Sequence, residues 1–134
     1  MRVLLDTNVI VSAVTTRGLC ADVFRAVLAA HELVICTQVL QEVRRILDMK
    51  FDVPEQLSAE YLELIGQEAI VAEPGEVPDL PIQDQDDGAI VAAALVAGAQ
   101  VLVTGDHDLQ GLKGMGKVSI LSPRAFWEEL TGQE

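Results

Sequence analysis

The chain has 134 residues, half of them hydrophobic, and carries a formal net charge of −12. This length suits a single domain with a sizeable core, and the composition excludes an intrinsically disordered chain. The shortage of Lys and Arg argues against a protein that coats nucleic acid, because phosphate contacts need cationic side chains. The first apolar run ends at Asp6, too early for a secretory signal, and no run reaches the roughly 20 apolar residues of a membrane span. We therefore expect a single cytoplasmic domain over residues 1–134.

Short apolar runs alternate with helical patterns along the first half of the chain. Two residues carry a predicted helix cap: Thr37 for the third helix and Ser58 for the fourth. A loop at 73–81 is predicted from three prolines and one glycine. The strands and helices predicted before this loop are, in chain order, 3–5, 8–14, 19–30, 33–36, 37–49, 59–68 and 70–72.

The same alternation continues to the end of the chain. A helix that begins at Gln85 or Asp86 is predicted to end at Gly98, and Ser122 is predicted to cap the last helix. The remaining strands are predicted at 101–103 and 118–121, with an irregular glycine-rich hinge between them. Buried strands alternating with helices imply a parallel sheet with helices on both faces. We therefore expect a three-layer α/β/α sandwich with a mostly parallel sheet of four to five strands.

The cysteines and histidines point away from a zinc site. Cys20 and Cys36 lie among apolar neighbours, which favours buried free thiols over a disulfide or a metal site. His31 is expected to be structural. His107 is expected to be an exposed turn residue, with a general base as the alternative.

Two carboxylates follow predicted strands, at the sheet edge where α/β proteins bind ligands. Asp6 directly follows the first strand, and Asp106 follows the strand at 101–103 after two intervening residues. On position alone, a functional site and a chance placement explain these two acids about equally well.

Two helices contribute further acids. Glu42 borders the apolar stripe of its helix, where a solvated rim glutamate is the favoured alternative. Asp87 lies on the core-facing stripe of its helix, with Ile90, Val91, Ala94 and Leu95. A buried carboxylate is costly unless it is paired or binds a metal, although an acid in a first turn can also interact with the helix dipole. Mg²⁺ or Mn²⁺ is the natural counter-charge for such a cluster of oxygen donors.

Four segments of the chain occur in the order typical of one known family. They are Leu4-Leu5-Asp6-Thr7-Asn8-Val9-Ile10, Glu42, Asp84-Gln85-Asp86-Asp87 with Ile90, and Val103-Thr104-Gly105-Asp106-His107-Asp108-Leu109. In these segments the chain resembles the PIN domain, the ribonuclease domain of many prokaryotic toxin–antitoxin toxins of the VapC-like kind.

The resemblance implies a fold, an activity and a set of site residues. It implies that the catalytic and metal-binding acids are Asp6, Glu42, Asp87 and Asp106. Asp108 matches a more variable metal ligand, and Asn8 and Thr104 match residues that support the site. The implied activity is an Mg²⁺- or Mn²⁺-dependent endoribonuclease that cleaves RNA with metal-activated water. The implied partners are a protein antitoxin and a second copy in a homodimer.

RNA must approach this acidic chain through a local basic surface, with candidates Arg17, Arg25, Arg44, Arg45, Lys50, Lys113 and Lys117. A phosphatase of the haloacid-dehalogenase kind would use Asp6 as nucleophile but needs a second aspartate where Asn8 stands. A non-catalytic module of the same fold, binding metal or RNA or serving dimerisation, is the other alternative.

Overall fold

The computed structural model describes residues 1–73 and 85–132, without the side chains of residues 85 and 86. Most of the loop predicted at 73–81, and Asp84, lie outside the described residues. The elements are, in chain order, β1 (Arg2–Leu5), α1 (Thr7–Thr15), α2 (Leu19–Ala30), β2 (Glu32–Cys36), α3 (Thr37–Lys50), α4 (Glu55–Glu68), β3 (Ile70–Ala72), α5 (Gln85–Val96), β4 (Val101–Val103), α6 (His107–Gly111), β5 (Gly114–Met115), β6 (Val118–Leu121) and α7 (Pro123–Thr131).

The strands form one sheet in the order β3-β2-β1-β4-β6-β5. All neighbouring strands are parallel except β5, which runs antiparallel to β6. This mostly parallel sheet flanked by helices confirms the predicted α/β class, but the predicted count of four to five strands is wrong, because the described residues form six. The additional strand is β5, in the segment predicted to be an irregular hinge. A Cβ atom at Gly114 would lie 2.9 Å from the carbonyl oxygen of Val118, so the glycine allows this close pairing.

The core lies on the central strands. The apolar residues of β1 and β4 are buried without alternation, as is typical of parallel strands covered by helices. Cys36 is a buried free thiol whose pKa is raised by burial, and Cys20 is a half-buried free thiol. None of the helices within 1–73 and 85–132 is long and apolar enough to cross a membrane.

Two of the three predicted helix caps are wrong. Thr37 is the first residue of α3 rather than its cap, and its hydroxyl donates to the carboxylate of Glu73. α4 begins at Glu55, directly after Pro54, so Ser58 lies inside the helix. Ser122 does cap α7, since its hydroxyl accepts a 3.0 Å hydrogen bond from the backbone N–H of Ala125.

The pairing of β1 with β4 positions the functional site. Leu5 is the register partner of Val103, so both strands end together at one edge of the sheet. The backbone N–H of Asp6 donates to the carbonyl of Val103 at 3.0 Å, which ties the first residue beyond β1 to the end of β4. The two predicted strand-end acids therefore lie at the same edge.

Candidate functional site

Asp6 is a nearly buried carboxylate, with 6% of its surface exposed. One carboxylate oxygen accepts from the backbone N–H of Thr7 and the other from the hydroxyl of Thr104, both at 2.7 Å. Burial raises the pKa of the Asp6 carboxyl above its ordinary value, and the charges of Glu42 and Asp106 raise it further, against these two hydrogen bonds that lower it. Asp6 is therefore fixed in orientation and sits in an environment that disfavours its negative charge.

Thr104 links the two strand-end acids. Its side chain is fully buried, and its hydroxyl donates to Asp6 while accepting a 3.0 Å hydrogen bond from the backbone N–H of Asp106. Asp106 caps α6 through its Oδ1, which accepts from the backbone N–H groups of Asp108 and Leu109 at 2.8 and 3.1 Å. The cap leaves the Oδ2 atom of Asp106 without a hydrogen bond among the described residues.

Glu42 is held toward the same place from α3. It is half-buried, and its Oε2 accepts a 2.9 Å hydrogen bond from the hydroxyl of Thr7, while its Oε1 lies 3.3 Å from the amide nitrogen of Gln38. Thr7 is a buried polar residue that the sequence reasoning gave no role. In the sequence, Thr7 is marked only by its position next to Asp6. The fold shows that its hydroxyl reaches Glu42.

One open cleft of about 210 Å³ collects the four acids that the resemblance implies. Asp87, which is half-buried, reaches this cleft from the first turn of α5. The described residues that line the cleft are Asp6, Thr7, Asn8, Glu42, Arg45, Ile46, Asp87, Ile90 and Asp106. Acids 100 residues apart in sequence thus share one cavity at the carboxyl edge of the sheet.

Four further residues named by the sequence analysis lie on or near the cleft. Asn8 is exposed and lines the cleft, whereas Thr104 lies beneath Asp6 without lining it. Asp108 is exposed on α6 and is not among the described residues that line the cleft. His107 is exposed at the start of α6, as expected of a turn histidine.

Of the seven candidate basic residues, Arg45 lines the cleft and the others do not. Arg44 instead forms a 3.3 Å ion pair with Glu55, and Arg25 forms a 2.6 Å ion pair with Asp22. Arg45 is therefore the cation that the fold brings to the acids, as judged over the described residues.

The donor set of the cleft fits a hard divalent cation. Its acids offer carboxylate oxygens only, and the environment that raises the pKa of Asp6 is one that a cation would relieve. In the described part of the chain, however, no three His, Cys, Asp or Glu side chains already form a group arranged to hold a metal ion. Like charges in one cleft repel each other, and a bound cation would offset this repulsion.

The chain is thus an α/β domain with a cleft of four acids at the carboxyl edge of its sheet. The sequence model of the PIN domain matches residues 2–108, and the chain belongs to the PIN domain family. Family membership places the chain, at the level of broad class, with nucleases. Among curated proteins, none matches the chain by sequence.

A solved structure shares the fold. It is the crystal structure of VapBC2 from Rickettsia felis bound to a DNA fragment from their promoter. The match has a TM-score of 0.65 and 17% sequence identity, and covers 91% of this chain and 98% of that chain. At this identity the likeness establishes the common fold.

Proposed function

We propose that the chain is a metal-dependent endoribonuclease that hydrolyses RNA phosphodiester bonds with water as the nucleophile. The observation that supports this most directly is the shared cleft of Asp6, Glu42, Asp87 and Asp106. These four are the proposed catalytic and metal-binding acids, and Asp108 is a proposed further metal ligand. Membership of the PIN domain family supports the same class of reaction.

The chain's own residues would hold and orient the reacting groups. A divalent ion, Mg²⁺ or Mn²⁺, lowers the pKa of water and offsets charge on the phosphate when it is bound. Asp6, held by Thr7 and Thr104, would be the central ligand of that ion, and the hydrogen bond from Thr7 also orients Glu42. Asn8 supports the site from the cleft wall. The acids need not act as nucleophiles in this scheme.

The first test is RNA cleavage by the Asp6→Asn variant. We expect the variant to lose cleavage by at least roughly 100-fold, because it removes the charge of the central metal ligand. Cleavage of a panel of single-stranded RNAs is measured with Mn²⁺ or Mg²⁺. The matched control is Glu60→Gln, which removes one negative charge from an exposed position of α4 outside the cleft. Undiminished cleavage by Asp6→Asn would sink the proposal.

We further propose that the protein is the toxin of a toxin–antitoxin pair, with a protein antitoxin and a homodimeric state. The shared fold with a chain of the VapBC2 complex supports the antitoxin partner, and the homodimeric state rests on the resemblance to the family. In cells, expression of the protein should arrest growth, and the Asp6→Asn variant should not. Growth arrest that persists in the variant would separate toxicity from the acidic cleft.

A non-catalytic metal-binding or RNA-binding module is the second candidate. Metal binding without cleavage of any RNA in the panel would support this candidate over the nuclease.

A further inference from the structure

One face of α3 carries a polar strip that continues out of the acidic cleft. We call it the α3 strip and define it as Gln38, Gln41, Glu42 and Arg45. Their spacing of three, four and seven residues places them on one face of the helix, over about 10 Å of its length. They line a second open cavity of about 310 Å³. Glu42 and Arg45 line both cavities, so the strip is continuous with the cleft.

Arg45 stands out on this strip by its charge. It is exposed and forms no ion pair within the described residues, whereas its neighbour Arg44 is paired with Glu55. Its side chain also makes no hydrogen bond to Glu42, three residues earlier on the same helix, so it does not serve as that acid's partner. Arg45 is the one cation among the described residues that line the cleft.

The balance of charge around the cleft gives this arginine a role. The cleft holds four carboxylates, which two divalent ions would only neutralise. The phosphates of a bound RNA strand then still need a cation, because phosphate contacts supply most of the affinity of such complexes. A guanidinium suits this need, since its planar fork pairs with phosphate oxygens through two hydrogen bonds.

We propose that Arg45 is a positioning residue that binds the RNA phosphate next to the scissile one, with the flanking nucleotide lying along the α3 strip. The inference rests on the proposed nuclease function and names the path of its substrate. Gln41 is exposed on the same strip, and its amide both donates and accepts hydrogen bonds, as does a ribose 2′-hydroxyl. Arg45 thus acts through substrate placement and leaves the metal-binding acids unchanged.

The test compares two adjacent arginines of the same helix. The proteins are the wild type, Arg45→Gln, Arg45→Lys and the matched control Arg44→Gln, which removes the same charge from a residue outside the cleft. The probe is a short, fluorescein-labelled, mixed-sequence single-stranded RNA. Its binding to each Mn²⁺-loaded protein is followed by stopped-flow anisotropy, before cleavage proceeds, at several salt concentrations. Cleavage kinetics and the binding of Mn²⁺ alone, by calorimetry, complete the set.

The expected result is specific to position. Arg45→Gln should weaken RNA binding and raise KM by about tenfold, with kcat changed by less than about threefold. The negative slope of log K for RNA binding against log salt should become less steep by about 0.7, as expected for one lost phosphate contact to a single strand. Arg45→Lys should retain most of the affinity, and Arg44→Gln should match the wild type. Mn²⁺ affinity should not fall in Arg45→Gln, because the change removes a positive charge from the cleft, and Tm should remain at the wild-type level.

Several outcomes would overturn the inference, and they differ from failure of the nuclease proposal. Equal losses of RNA affinity in Arg45→Gln and Arg44→Gln would show that Arg45 acts only as general surface charge. Wild-type cleavage with an unchanged KM in Arg45→Gln would overturn the path along α3 and leave the nuclease standing. RNA binding that depends on Arg45, without any cleavage, would overturn the nuclease proposal and leave the RNA path along α3 standing. A wild-type protein that neither binds nor cleaves the RNA would overturn both.

Discussion

Asp6 illustrates how a single side chain can oppose folding while serving a site. Burial is the main reason why its pKa is raised in the folded protein. The folded protein therefore holds the Asp6 proton more tightly than the unfolded chain does. Below the pKa of Asp6 in the unfolded chain, the protonated carboxyl makes its full contribution to the free energy of unfolding. This contribution is lost as pH rises through the pKa of Asp6 in the folded protein. At neutral pH the ionised carboxylate costs stability.

The Asp6→Asn variant should therefore be more stable than the wild type at neutral pH in EDTA. Burial disfavours the charged carboxylate of Asp6 but not a neutral amide, and the asparagine can still accept from Thr7 and pair with the hydroxyl of Thr104. The measurement is Tm by circular dichroism across a pH series. The advantage of the variant should shrink as pH falls through the folded pKa of Asp6, while Glu60→Gln should show no such advantage. A lower Tm for Asp6→Asn at neutral pH would contradict this account.

The acids of the cleft differ in how far the sequence could identify them. Asp6 and Asp106 follow strands, and Asp87 lies on an apolar stripe, so local patterns point to each of them. Glu42 lies at the border of its stripe, where the pattern alone favours solvent. Its hydrogen bond to Thr7 joins residues 35 apart in sequence, and such a contact has no local signature.

At the scale of the helix, two serines with the same capping chemistry have different roles. Ser, Thr, Asp and Asn favour caps because their oxygen can accept from a free backbone N–H of the first turn. Ser122 makes that bond, but Ser58 is fully buried inside α4, and its hydroxyl has no hydrogen-bond partner within the described ranges. Pro54 sets the start of α4 at Glu55, because its fixed φ, here −53°, suits the residue that directly precedes a helix.

These two serines should respond to alanine with opposite signs. Ser122→Ala should destabilise the protein by about 1 kcal/mol, because the N–H of Ala125 loses its acceptor. Ser58→Ala should stabilise it by up to about 1 kcal/mol, since it removes a buried unpaired hydroxyl and raises helix propensity. Urea unfolding of both variants measures the two changes. A loss in Ser58→Ala as large as that in Ser122→Ala would instead favour the cap that the sequence predicts.

At the scale of the whole molecule, the charge of −12 and the acidic cleft call for cations from solution. The described structure gathers four of the acids in one cavity and leaves Arg45 at its edge. Divalent cations that bind the folded protein and not the unfolded chain should therefore stabilise it by mass action.

We expect Mn²⁺ at about 100 times its Kd to stabilise the wild type by about 2.7 kcal/mol, a rise in Tm of roughly 10 °C. The rise should disappear on addition of EDTA. In Asp6→Asn it should be largely lost, whereas Glu60→Gln should keep it, because only the former loses a cleft ligand. Differential scanning calorimetry at constant ionic strength measures the effect. An equal Mn²⁺ response in all three proteins would assign it to general surface charge.

The sequence by itself determined the class of the fold and most of the element positions. Apolar runs of three or four residues between helical patterns imply a parallel sheet, and α2 and β4 begin and end where their patterns do. Strand β5 was missed because it depends on a close backbone approach at Gly114, which is a property of the packed chain.

The tertiary structure decided which polar residues face one another. The register of β1 against β4 brings Asp6 to Thr104, and the packing of α3 beside α1 brings Glu42 to Thr7. Of two adjacent arginines, it pairs Arg44 with Glu55 and leaves Arg45 at the cleft. Periodicity encodes the buried face of each element, because hydrophobicity is the main determinant of burial. Polar pairing depends on direction and distance between elements, which only the assembled fold fixes.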